Sequence, residues 1–182
     1  HYSSRRQRQM CIRDRVMFYN QRPRAKWGLR MNSTRPLLNN RDIRLGIQHA
    51  LNWDTVNEEI FFGDNQRLQG FADGYPDAAV NPDIRAREFD PAKAREYFAK
   101  AGFTEAGPDG ILTNANGQRL SISLTIGHPW ARDIGVLLKD EAANAGLSLD
   151  LDFTEFTSAM KKAAQKKHDL IFSGYGTFVE LY

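Results

Sequence analysis

The sequence predicts an α/β fold whose sheet has a parallel core and is flanked by helices. Two runs alternate strictly. Leu120, Ile122, Leu124 and Ile126 are interleaved with Ser121, Ser123 and Thr125, and Leu147, Leu149, Leu151 and Phe153 with Ser148, Asp150 and Asp152. Period two is the signature of half-buried strands. Between them, Ile134, Leu137, Leu138, Ala142 and Ala145 recur at helical spacing within Trp130 to Ala145, and Gly146 supplies the stop. A second helical stripe, Phe156, Met160, Ala163 and Ala164, precedes Asp169 to Ser173, a short apolar run read as a central strand. The order is strand, helix, strand, helix, strand with short connections. Right-handed crossovers make such strands parallel in one sheet.

The preceding elements follow in chain order. Val16 to Asn20 and Trp27 to Asn32 are short apolar and aromatic runs, read as two extended segments. Asn39 or Asn40 caps a helix through Leu51, with Ile43, Ile47, Ala50 and Leu51 on one face. Asp54 is read as the cap of a second helix, Thr55 to Phe62, closed by Gly63. Periodicity fails from Asp64 to Phe89, where Gly70, Gly74, Pro76 and Pro82 mark a long irregular passage. Asp90, with Pro91 at the first helical position, starts a helix carrying Ala94, Tyr97, Phe98 and Ala101 on one face, and Gly102 ends it. Turn residues from Gly107 to Gly117 lead to the first alternating strand. Lys161, Lys162, Lys166 and Lys167 stand where the negative end of the last helix dipole favours cations.

The net charge of +3 is concentrated at one end. Removing Arg5, Arg6, Arg8, Arg13 and Arg15 with Asp14 from the totals of 25 Lys+Arg and 22 Asp+Glu leaves 20 against 21, a net −1. A neutral to slightly acidic domain gives no footprint for nucleic acid. Residues 1–15 have no helical or strand periodicity and read as a non-native or disordered segment, such as translated sequencing-adaptor read-through. That segment holds Cys11, so the remainder has no cysteine and no disulfide framework. No apolar run approaches the roughly 18 residues of a membrane span, so no membrane insertion is expected. With His1 at its start and Tyr182 directly after a strand-like run, the chain reads as truncated at both ends, residues 16–182 forming one domain.

Three segments carry a family resemblance. PLLNNRDIRLGIQHALNWDTVNEEIFFGD, FDPAKAREYFAKAGF and HDLIFSGYG, in this order, resemble a helix pair, a capped helix and a return strand of the second lobe of the family 5 extracellular solute-binding proteins. That family includes oligopeptide, dipeptide and nickel receptors, and the likeness is nearest to its YejA-like peptide-binding branch. The resemblance implies a periplasmic binding protein type II-like lobe, residues 16–182 being the C-terminal half of a hinged, two-lobed receptor. It further implies a peptide ligand, a periplasmic location and delivery to the inner-membrane permease subunits of an ABC transporter. Gly46 stands where the family commonly has alanine, and Tyr175 where it often has tryptophan.

In an open parallel sheet, ligands bind beyond the carboxyl ends of the strands. Three segments converge there: Gly127, His128, Pro129 and Trp130; Thr154, Glu155 and Phe156; and Gly174, Tyr175, Gly176, Thr177 and Phe178. Glycines 174 and 176 would let a ligand approach the backbone, while Tyr175 offers an apolar face and a hydroxyl. Trp130 is a stacking candidate, although a tryptophan opening an amphipathic helix more often packs on its own sheet. Glu180 has the charge to hold a peptide amino terminus. Arg44 matches the family's arginine and is expected to form a structural salt bridge.

Nothing points to catalysis. His49, His128 and His168 are scattered, without metal-ligand spacing, cysteine pairs or clustered carboxylates, so no metal or cofactor is expected. FSGYG starts like a dinucleotide fingerprint, but Val179 replaces the third glycine, and Ile171 stands where a nucleophile elbow around Ser173 needs glycine. Two alternatives to a peptide receptor stay open: a receptor for a non-peptide solute such as a metal chelate, and a sensory or structural module without transport function.

Overall fold

The computed structural model of the protein describes residues 26–70, 73 and 81–175. The basic segment 1–15, the expected strand Val16 to Asn20, Gly74, Pro76, and the candidate site residues Gly176, Thr177 and Glu180 lie outside them.

The elements are β1 (Lys26–Met31), α1 (Pro36–Asn39), α2 (Arg41–Ala50), α3 (Trp53–Glu59), α4 (Pro91–Lys100), β2 (Phe103–Ala106), β3 (Leu112–Asn114), β4 (Ser121–Ile126), a 3₁₀ turn (Pro129–Ala131), α5 (Arg132–Asn144), β5 (Ser148–Phe153), α6 (Phe156–Ala164) and β6 (Leu170–Tyr175). The main sheet has the order β1-β6-β4-β5. β4 pairs in parallel with both β5 and β6, as the alternating strands predict. β1 joins the far edge antiparallel to β6, with Trp27 opposite Gly174 and Leu29 opposite Phe172. That reversal carries the first residues of β1 to the end of the sheet where the parallel strands finish.

One face of the sheet holds the core. Ile122, Leu124, Ile126, Leu149, Leu170 and Phe172 pack with Ile43, Ile47, Phe98, Ile134 and Leu138 from α2, α4 and α5. Each such side chain is worth about 1.5–3 kcal/mol relative to exposure. The caps of α2 and α4 are as expected. Asn40 accepts from Asp42 N–H at 2.8 Å and Asp90 from Lys93 N–H at 2.9 Å. Packing of α2 on α4 is close enough that a Cβ at Gly46 would stand 2.7 Å from Phe98 Cδ1, which explains glycine at that position.

Four expectations need correction. The cap of α3 is Asn52, whose side chain accepts from Thr55 N–H at 3.1 Å, so the helix starts at Trp53 and stops at Glu59. Asp54 sits in its first turn instead, paired with Arg67 at 2.6 Å. The turn-rich stretch after α4 contains a hairpin, β2 against β3. Strands of four and three residues are too short for alternation to register. Among the described residues Arg44 forms no salt bridge. Its Nη1 donates to the Leu38 and Asn39 carbonyls at 2.7 and 2.9 Å, capping the end of α1. Finally, α6 does not bury the expected stripe of Phe156, Met160, Ala163 and Ala164: Ala159 is its buried residue, while Phe156 is 49% exposed.

The other sheet face is more polar. Thr125 Oγ1 donates to Asp152 at 2.9 Å, and Lys162 Nζ from α6 reaches the same carboxylate at 2.7 Å. Asn32, just past β1, donates to the Lys166 and His168 carbonyls at 2.9 and 2.8 Å and accepts from Thr34 N–H and Oγ1. It ties the exit of β1 to the entry of β6.

Candidate functional site

Where β4 ends, Gly127 turns the chain beneath α6. A Cβ there would lie 2.8 Å from Ala159 Cβ and 3.1 Å from Phe156 Cα, so glycine is what lets the start of α6 close over this corner. His128 follows, its carbonyl accepting from Ala131 N–H at 3.0 Å to set the 3₁₀ turn that presents Trp130. From β1, Trp27 arrives at the same corner. Its ring meets His128 edge-on at 5.0 Å and Trp130 edge-on at 4.9 Å, and stacks on Phe172 at 5.5 Å. His128 also lies 4.9 Å from Phe156. Edge-to-face and offset pairs of this kind are each worth about 0.5–1.5 kcal/mol beyond area burial. The corner is therefore pre-organised, yet Trp27, Trp130 and Phe156 remain 40%, 47% and 49% exposed.

The structure divides the predicted residues. Gly127, His128 and Trp130 come together, and Gly174 joins them in an unforeseen role: its missing side chain seats the Trp27 indole, three of whose atoms would lie 3.4 Å from a Cβ. Thr154 N–H donates to the Ile126 carbonyl at 3.2 Å, which extends the strand pairing by one residue beside this corner. Tyr175 points elsewhere. It pairs with Lys26 on the opposite sheet face, and its hydroxyl donates to the Leu29 carbonyl at 3.3 Å. Burial first of all raises its phenol above the ordinary value, with Arg30 acting against that. Missing from the sequence reading was Trp27, because the alternation of Trp27, Leu29 and Met31 reveals a strand but not its direction.

Trp27, Trp130 and Phe172 open onto a groove of about 1340 Å³ running along β1 toward α3. Leu29, Met31, Leu51, Trp53 and Phe61 continue its apolar surface, and residues 64–69 and 84–87 supply a polar wall. Pockets of this character, apolar with a few placed polar groups, take small ligands.

The three described histidines stay apart. His49 stacks on Tyr97 at 5.7 Å with Nδ1 against the Glu88 carbonyl, and His168 has a buried Nδ1 without a hydrogen-bond partner among the described residues, burial being the first cause that lowers its pKa. Among the described residues no three or more His, Cys, Asp or Glu converge on a metal position. Ser173 Oγ is buried without a hydrogen-bond partner among the described residues. No described helix is long and apolar enough to cross a membrane.

Comparison with known proteins gives the same architecture. The family model described as bacterial extracellular solute-binding proteins, family 5 Middle, matches residues 7–180. Oligopeptide-binding protein AppA of Bacillus subtilis is 21% identical over 137 residues, which cover 72% of this chain and 24% of AppA. Among solved structures, NikA from Brucella suis in complex with Fe(III)-EDTA superposes with a TM-score of 0.77 at 24% identity, over 87% of this chain and 32% of NikA. DppA from Helicobacter pylori in complex with peptide STSA gives 0.69 at 22% identity, over 85% of this chain and 28% of DppA. The chain thus spans about a quarter to a third of the length of these relatives. With a match over nearly all its residues and the fold in common, the chain belongs to the bacterial extracellular solute-binding proteins of family 5, a family of solute binders rather than of enzymes.

Proposed function

We propose that residues 16–182 form the second, C-terminal lobe of a two-lobed receptor that captures peptides in the periplasm and delivers them to the permease subunits of an ABC importer. The observation that carries this reading is the half-exposed aromatic corner of Trp27, His128, Trp130 and Phe156, set at the carboxyl ends of the parallel strands and opening onto the groove. Such a surface stacks on apolar side chains of varied sequence and leaves its polar wall for backbone amides. The solved structures of AppA with a nonapeptide and DppA with peptide STSA support a peptide. NikA holding Fe(III)-EDTA keeps a chelate as the second reading.

The test is a titration of the 182-residue chain with a mixed pool of di- to deca-peptides, followed by amide and indole chemical shifts. The largest responses are expected at Trp27, His128 and Trp130, and Trp27→Ala should weaken them several-fold. Responses confined to residues far from this corner, or a response to Fe(III)-EDTA with none to peptides, would replace the peptide reading.

A further inference from the structure

The wall of the groove has a definite construction. Arg67 Nη1 pairs with Asp54 at 2.6 Å and its Nη2 donates to the Arg87 carbonyl, which straps residues 64–69 to both α3 and the run 84–87. Gln69 Oε1 accepts from Ala86 N–H at 3.1 Å and completes the strap. The charge of Arg67 is therefore answered within the wall.

Two other guanidiniums on the same lining are not answered. Arg87 Nη1 donates to the neutral amide of Gln48 at 2.7 Å, and Arg85 Nη1 to the Ile84 carbonyl at 3.2 Å. Neither forms an ion pair among the described residues. Among the described residues of the lining, the acidic side chain is Asp64, against the guanidiniums of Arg67, Arg85 and Arg87. After the Arg67–Asp54 pair is set aside, the groove keeps an excess of positive charge beside its aromatic surface.

Building on the groove as the ligand site, we infer that it selects anionic ligands, in the first place peptides carrying carboxylate side chains, through Arg85 and Arg87. A guanidinium presents paired N–H donors that match a carboxylate, and Arg87 is already oriented by Gln48, so less freedom is lost when the acid arrives. Trp27 and Trp130 supply affinity without regard to charge. Discrimination between an acidic and a neutral side chain then falls to the arginines.

The experiment compares three pentapeptides, Ala-Glu-Phe-Glu-Ala and its Gln and Lys counterparts, against the full 182-residue chain and its Arg85→Gln, Arg87→Gln double variant. Exposed ion pairs being weak, two of them together should let the acidic peptide bind about two- to thirtyfold tighter than the Gln peptide. That ratio should shrink at about 0.5 M salt, where charges separated by more than a few ångströms are screened. In the double variant the ratio should fall to near one, with the unfolding midpoint unchanged. Trp27→Ala should weaken all three peptides while preserving the ratio. Equal binding of the acidic and Gln peptides, or a preference that survives in the double variant, overturns the inference. If none of the three peptides binds, the peptide reading fails separately, and citrate decides the charge question: binding that the double variant loses upholds anion selection, and no binding of citrate ends it.

Discussion

Gly46 shows how one missing methyl group fixes the distance between two helices. Phe98 fills the space a Cβ would take there, at 2.7 Å from its Cδ1. Gly46→Ala should cost about 1–3 kcal/mol by overpacking, read from urea unfolding. Phe98→Leu in the same chain should make the two changes less than additive, since they share one contact. Charge gives a second test at this scale. The hydrogen bond from Lys162 is the first cause holding the Asp152 carboxyl below its usual range, with Thr125 adding to it and burial opposing. A carboxyl whose folded pKa is depressed contributes stability above its unfolded pKa and loses it as pH falls through the folded one. Acid unfolding of the native chain should therefore steepen below the ordinary aspartate range, and Asp152→Asn should flatten that limb. The pair is about a third exposed, so the change should stay within about 0.2–1 kcal/mol.

Among the elements, the long periodic ones were legible and the short or reversed ones were not. β4, β5 and β6 and the apolar face of α2 follow directly from periods of two and 3.6, because burial on one side leaves its mark on every second or every third and fourth residue. The hairpin β2–β3 is too short to carry such a mark, and the antiparallel course of β1 leaves none at all. This second blind spot is why the sequence does not place Trp27 at the aromatic corner, while Gly127, His128 and Trp130, which follow a legible parallel strand, are expected together there and do meet. Cap placement near Trp53 failed for a different reason: Asn52 and Asp54 are both good caps by residue type, and only backbone geometry separates them. The structure gives the bond to Asn52. Asn52→Ala should accordingly cost about 0.5–2 kcal/mol in thermal or urea unfolding. Asp54→Ala should cost less, because Asp54 is exposed and its partner Arg67 keeps a second bond to the Arg87 carbonyl. The reverse order of effects would restore the assignment made from sequence.

At the scale of the molecule, the aromatic corner and its groove face outward, and a ligand lying there is covered on one side. Receptors of the proposed kind close two lobes around a ligand, each supplying part of the contact surface while closure excludes water. A single lobe leaves every hydrogen bond on the open side in competition with solvent and every apolar group there half hydrated. Complete burial in a micromolar site corresponds to about −8 kcal/mol, and losing about half of that leaves affinity near the millimolar level. The isolated chain should therefore bind peptides with a dissociation constant of about a millimolar or weaker, and the complete receptor should bind the same peptides about a thousandfold more tightly. Calorimetry on the complete receptor, set beside chemical-shift titration of the chain, measures both ends of that comparison. Trp27→Ala should weaken the two by a similar factor, because the same indole meets the ligand in each. If the chain alone reached micromolar affinity, the groove would have to bury its ligand unaided, and a second lobe would no longer be needed to explain how this surface captures a solute.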